Sequence, residues 1–341
     1  MIIVMAPDAT PEQIKDVEER ILSWGYGVHP IYGKERTVIG AVGVPEADKA
    51  LYLEQLERLP YVERAIAIIK PYKFVSREAK REKTRIRVGE VEIGGNDVVL
   101  MAGPCTVESY ELTLATAKAV RALGVRILRV GAFKPCTSPY SFQGLGVEGL
   151  RILRCVADQT GMAVITEVMD PRNVELVSEY AEILQIGTRN MQNYDLLREV
   201  GRGTRPVLLK RGMWAKIEEW LQAAEYVFLG GNHNIMLCER GIRTFETHTR
   251  NTLDLSAVAA VQELSHLPVI VDPSQGTGRW SLVPRMSCAA IAAGADGLLI
   301  EVHPQPDKAI KDGAQSVSHA GFEQLVNMCR PVAAAIGRRL A

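Results

Sequence analysis

From Val98 onward the chain repeats one unit eight times: a short, largely apolar β-rich run, then a stretch with helical spacing. The runs are Val98–Met101, Arg126–Val130, Ala163–Ile165, Ile183–Ile186, Val207–Leu209, Ile235–Leu237, Val269–Val271 and Gly297–Ile300. Helical patterns between them include Leu112–Leu123, Val147–Asp158, Lys216–Val227 and Met286–Ala293, and a helix over Phe322–Arg339 follows the last run. Apolar strands alternating with helices require a parallel sheet buried on both faces, and eight of them predict a (β/α)8 barrel. An open doubly wound sheet is the alternative, but no GxGxxG or Walker sequence supports it.

The first 70 residues follow a different pattern. Ile2–Met5 reads as a strand, and Thr10, Pro11 and Gln13 start a helix as N-cap, first-turn proline and capping-box partner. Strands around Gly27–Tyr32 and Thr37–Val44, a helix over Ala47–Leu59 and a strand over Val62–Ile69 complete a βαββαβ order. That order predicts a ferredoxin-like α+β module, whose role is either regulation or packing and dimerisation. Residues 71–84 read as a linker, since Ser76–Lys83 is almost wholly charged and suits a solvated connector. The barrel then spans 85–341, starting with a short hairpin through Gly89-Glu90.

Composition narrows the function classes. Among 341 residues, 40 Lys+Arg balance 40 Asp+Glu, which argues against a generally basic nucleic-acid binder without excluding a local anion site. The sequence shows no apolar run of membrane-spanning length and no leader pattern, so a cytoplasmic protein with no membrane or nucleic-acid partner is expected. Six scattered cysteines without CxxC pairing fit reduced thiols.

In such a barrel, chemistry sits at the C-terminal ends of the strands. Arg129, Lys134, Arg189, Lys210 and Arg240 all fall there. Five converging cations repel one another unless an anion neutralises them, and a small ligand with a phosphate and a carboxylate would do so. The plainer alternative pairs them with Glu167, Asp272 and Glu301 as structural ion pairs. Cys105, Glu301 and Asp312 form a second constellation that would suit a divalent first-row metal, with His303 and His233 as possible neighbours. A cysteine at that position also serves simply as a small buried hydrophobe.

At these motifs the sequence resembles the class I, short-form (beta-type) 3-deoxy-D-arabino-heptulosonate 7-phosphate (DAHP) synthases that carry an N-terminal ferredoxin-like regulatory domain. The motifs are AGPCTVE at 102–108, KPCTSPYSFQGLG at 134–146, TEVMD at 166–170 and QIGTRNMQNYDLL at 185–197. PVLLKRGM at 206–213, CERGIRTFE at 238–246 and ADGLLIEVHPQPDKAIKDGAQS at 295–316 continue it. The resemblance implies a transferase of aromatic amino acid biosynthesis that condenses phosphoenolpyruvate with erythrose 4-phosphate at the first step of the shikimate pathway. It places Arg129, Lys134, Arg189, Lys210 and Arg240 on phosphoenolpyruvate, with Pro135, Thr137 and Ser138 in the substrate-binding loop. Lys134 and Glu167 take catalytic roles, in protonation and in orienting the attacking water. Cys105, Glu301 and Asp312 match three metal ligands for a Mn, Fe, Co or Zn type of ion. A homo-oligomer, dimer or tetramer, and an aromatic amino acid as allosteric effector are implied as well.

Two departures from the family pattern stand out. The fourth metal ligand, a histidine, is replaced by Gln275, and the arginine that grips the acceptor's phosphate is replaced by Cys136. An amide oxygen is a poorer ligand than imidazole, so a weakly bound or absent metal is expected. Loss of a bidentate charge-assisted contact costs about 1.5–3 kcal/mol of acceptor binding. The alternatives to the default activity are therefore a paralogue that takes another aldehyde acceptor in specialised metabolism, or a catalytically silent regulatory relative.

Overall fold

The computed structural model describes residues 1–33, 36–67, 71–136 and 138–341, with backbone alone for residues 46 and 47. The chain divides into two compact units, Met1–Arg81 and Glu82–Ala341.

The first unit runs β1 (Ile2–Met5), α1 (Pro11–Ser23), β2 (Gly27–Tyr32), β3 (Thr37–Val42), α2 (Glu46–Glu57) and β4 (Val62–Ile66). Its antiparallel sheet has the order β2-β3-β1-β4, the ferredoxin-like arrangement. Helix α1 starts where its capping box directs: the Gln13 amide donates to Thr10 Oγ1, and the Thr10 amide donates to Gln13 Oε1. Such a cap contributes about 1 kcal/mol. Val17 and Ile21 face the sheet and pack with Ile3, Ile39 and Leu56. The far end of the last expected strand, at Ile68 and Ile69, lies outside the described residues. Within the charged connector Glu78 and Lys80–Glu82 are exposed, but Ser76 is buried, as are Tyr72, Phe74 and Val75 just before it.

The second unit opens with the hairpin β5 (Ile86–Val88) and β6 (Val91–Ile93). There follow β7 (Asp97–Gly103), α3 (Tyr110–Ala122), β8 (Ile127–Arg129), α4 (Val147–Thr160), β9 (Ala163–Glu167), α5 (Val174–Tyr180), β10 (Ile183–Ile186) and α6 (Tyr194–Arg202). The chain continues through β11 (Val207–Lys210), α7 (Ile217–Leu229), β12 (Ile235–Glu239), α8 (Leu255–Leu264), β13 (Val269–Val271), α9 (Pro273–Thr277), α10 (Val283–Ala292) and β14 (Gly297–Glu301). Strands β7 to β14 are parallel neighbours in sequence order, and β14 pairs back onto β7 to close the barrel. Alternate residues point inward, so Val99, Met101, Ile127, Ile165, Ile183, Leu208, Met236, Ile270 and Leu299 fill one core. Ile86, Val88 and Ile93 join that core, so the hairpin plugs the end of the barrel where the strands begin.

The closing helix, α11 (His319–Ala335), begins three residues earlier and ends four residues earlier than the Phe322–Arg339 stretch that its apolar pattern suggests. Gly337, at φ +73°, ends it, and β15 (Arg339–Leu340) then pairs with β7. The Arg338 guanidinium donates to the carbonyls of Gly95, Asn96, Asp97, Gly294 and Ala295. No helix among the described residues is long and apolar enough to cross a membrane.

Candidate active site

The strand ends deliver polar side chains into one cavity of about 460 Å³. Lys134, Arg189, Lys210 and Arg240 line it, and Arg129 lines a small recess that shares Lys134 and Glu167 with it. All five expected cations therefore converge, because each ends a β-strand or follows one by no more than a few residues.

The ion-pair alternative is realised for two of them. Lys210, the last residue of β11, is buried with its Nζ 2.6 Å from Asp272 Oδ2 and donates to Gln275 Oε1 at 3.1 Å. Arg129 ends β8, with Nη2 3.3 Å from Glu301 Oε1 and Nη1 donating to the Pro104 carbonyl. Burial alone would raise the Asp272 carboxyl, but Lys210 and Arg129 outweigh it and hold the group below its ordinary range. Pairs this deep are costly to break, about 3–5 kcal/mol when one partner is removed. They also fix the side chains that face the cavity.

Among the described residues, two atoms on the cavity wall have no hydrogen-bond partner. Arg240 Nε is buried without a hydrogen bond, and so is Glu167 Oε1. Burial lowers the Arg240 guanidinium and raises the Glu167 carboxyl, although Lys134 and Lys210 pull Glu167 the other way. The second Glu167 oxygen accepts from Gln185 Nε2 at 3.3 Å. Orphaned charged groups on a cavity wall mark a place where a ligand completes the hydrogen bonding.

Cys105, Glu301 and Asp312 bring one sulfur and two carboxylates within 4.8 Å of one another, a mixed donor set suited to a first-row divalent ion. The Cys105 thiol donates to Asp312 Oδ2 at 3.1 Å, and Lys134 Nζ lies 2.7 Å from the sulfur and 3.3 Å from that carboxylate. Burial and the Glu301 charge push the thiol up, so at neutral pH it stays protonated. Burial would also strip the Lys134 proton, but the surrounding negative groups outweigh that and keep the ammonium. With Cys105 as a thiol, Glu301 and Asp312 carry that hold. Gln275 is not a fourth donor here: its oxygen accepts from Lys210, and its Nε2 points at Glu301 Oε1, 3.4 Å away.

Other expected residues fall elsewhere. His233 precedes β12, so it lies at the opposite end of that strand, where it stacks on Phe228 with ring centres 4.1 Å apart. His303 is buried beside Glu108 at 3.4 Å and lies outside the three-donor group. Pro135, Cys136 and Ser138 line the cavity, whereas Thr137 is outside the described residues. The Cys136 thiol donates to the carbonyls of Lys134 and Phe142. Sequence reasoning missed Arg250 and Gln315. Arg250 donates to Gln315 Oε1 at 2.8 Å, and Gln315 Nε2 donates to Glu301 Oε2 at 2.8 Å, which steadies the donor cluster. Neither residue ends a β-run, so the strand-end rule could not find them.

Known proteins resemble this chain over its whole length. A family pattern described as DAHP synthetase I family matches residues 74–335, and one described as DAHP synthase ferredoxin-like domain matches residues 1–70. A phospho-2-dehydro-3-deoxyheptonate aldolase of Thermotoga maritima is 49% identical over 337 residues, 99% of each chain. A 2-dehydro-3-deoxyphosphooctonate aldolase of Syntrophotalea carbinolica is 36% identical over 68% of this chain and 90% of its own. The solved DAHP synthase structure from Thermotoga maritima covers 100% of this chain and 99% of its own, at 48% identity and a TM-score of 0.80.

Proposed function

The chain belongs to the DAHP synthetase I family, and from that premise we propose that it joins phosphoenolpyruvate to erythrose 4-phosphate, the first step of the shikimate pathway. One observation carries the reading beyond membership: Arg129, Lys134, Arg189, Lys210 and Arg240 converge on a single cavity system, with a buried guanidinium nitrogen left unsatisfied. A phosphate and a carboxylate on one small molecule would complete those hydrogen bonds.

In the reaction the third carbon of phosphoenolpyruvate attacks the acceptor aldehyde, water adds to the second carbon, and inorganic phosphate leaves. Lys134, held as an ammonium beside Asp312, supplies or holds a proton near the reacting carbons. Glu167, with one free oxygen and a raised pKa, orients the water and accepts its proton. Cys105, Glu301 and Asp312 would hold a divalent ion, which when bound supplies Lewis-acid polarisation of the aldehyde. With only three donors grouped, weak binding of that ion is the expectation.

Residues 1–70 are assigned as the regulatory domain, 71–84 as the linker and 85–341 as the catalytic barrel, in a homo-oligomer. The second reading, a different aldehyde acceptor, is favoured by Cys136, whose thiol is spent on its own loop. Phosphoenolpyruvate consumption with and without erythrose 4-phosphate separates the two. Consumption that depends on erythrose 4-phosphate and releases equimolar phosphate supports the synthase. No consumption with a saturating supply of both substrates overturns it.

A further inference from the structure

The cavity carries more positive charge than one substrate needs. Beyond the five cations already placed, Arg243, Arg250 and Lys311 line it. Arg250 is engaged by Gln315 and, at 3.6 Å, by Asp312. Among the described residues, neither the Arg243 guanidinium nor the Lys311 ammonium has a hydrogen bond or an ion pair.

Cations without partners at a cavity wall are usually just solvated, so the lack of a partner alone means nothing here. What sets these two apart is a backbone held in place beneath them. The Arg243 amide donates to the Met213 carbonyl, and neighbouring Ile242 exchanges two bonds with Thr252, 2.9 Å each way. Thr244 and Thr252 then meet through their hydroxyls at 2.6 Å. The Ile310 amide donates to Glu108 Oε1 at 3.0 Å, and Asp312, at φ 54°, turns the chain just after Lys311. Meanwhile the loop after β8 offers Cys136, Ser138 and Ser141 to the same cavity and, past Lys134, no cation. A reaction that joins two phosphate esters needs two anion sites, and the buried cations account for one.

We propose that Arg243 and Lys311 form the subsite for the acceptor's phosphate, a monoester dianion, in place of a cation on the loop after β8. The inference rests on the proposed function, and it assigns specificity for a phosphorylated acceptor to these two side chains. Steady-state kinetics of the full chain test it. Arg243→Ala with Lys311→Ala should raise KM for erythrose 4-phosphate at least about tenfold, leave KM for phosphoenolpyruvate within about twofold, and leave use of unphosphorylated erythrose unchanged. Arg243→Lys should recover part of the loss, which a merely structural defect would not. A KM for erythrose 4-phosphate that does not move, or two KM values that rise together, overturns the subsite. If the parent turns over no erythrose 4-phosphate, the synthase reading fails separately, and calorimetric titration of inorganic phosphate still decides the subsite. Two phosphates bound by the parent and one by the double variant support it, and one bound by both overturns it.

Discussion

Gly187 leaves the space that the Glu167 carboxylate occupies: a β-carbon built at Gly187 would lie 1.9 Å from Glu167 Oε1. Gly187 follows β10 and Glu167 ends β9, so adjacent strands set this fit. The carboxylate is buried on the cavity wall with that oxygen unpartnered, and only a residue without a side chain lets it stay there.

Gly187→Ala should therefore displace Glu167 and cut turnover by more than about tenfold, while overpacking costs about 1–3 kcal/mol of stability. Rate and thermal unfolding measured together check this. A variant with parental turnover would show that the position of Glu167 is not critical.

Glu167 also gives a pH signature. Burial raises its pKa in the folded state, so above the ordinary carboxyl range the native protein binds more protons than the unfolded chain. Its contribution to stability then falls as pH rises through the window up to the raised value. Glu167→Gln has no proton to lose, so its stability relative to the parent should improve with rising pH over that window. Denaturant unfolding of both proteins from about pH 4 to about pH 8 measures the difference, and parallel curves would contradict it.

Arg189→Ala should weaken phosphoenolpyruvate binding about ten- to a hundredfold, the size of a lost charge-assisted hydrogen bond. Calorimetry on the full chain reads this directly. Lys210→Ala would instead strand the Asp272 carboxylate 2.6 Å from a missing partner and unfold part of the site.

Metal content should follow the donor set. The parent is expected to hold a divalent ion weakly, Cys105→Ala to lose it, and Gln275→His with Cys136→Arg to raise both occupancy and use of erythrose 4-phosphate. Elemental analysis after dialysis is the readout. Tight stoichiometric metal in the parent would show that three donors suffice.

For the first unit, millimolar tyrosine or phenylalanine should slow an active preparation, with a coupling of about 1–3 kcal/mol between effector and substrate. An unchanged rate, with no heat of binding for either amino acid, would leave the domain without this role.

The barrel was legible because its strands are apolar on both faces, a pattern that few architectures accept, and the strand-end rule then located the cations. Asp272 and Glu301 were expected among their partners, but which cation each would meet was not legible. Arg129 meets Glu301 past the single intervening strand β7, from β8 to β14, and no local pattern records a pairing between residues so far apart in sequence. Arg250 and Gln315 were hidden for the same reason, since each sits in a loop whose path is set by tertiary packing. The overrun of the closing helix has a local cause: Gly337 takes a positive φ that the apolar spacing around it does not announce. The short helices α5 and α6 lacked enough turns for their apolar stripe to stand out.

The closure of β7 onto β14 and β15 bears on how the chain acquires its structure. Val99 lies opposite Gly297, about 200 residues later, so the seam is a contact of very high sequence separation, the kind that slows folding. During synthesis, seven strands would wait with β7 showing an unpaired edge until Gly297–Glu301 emerges, and the Arg338 side chain that ties down Gly95 and Asp97 emerges later still. Refolding from denaturant should accordingly be slow and yield more native protein at low concentration, because an open edge that meets another chain before its own C-terminal strands aggregates instead of closing.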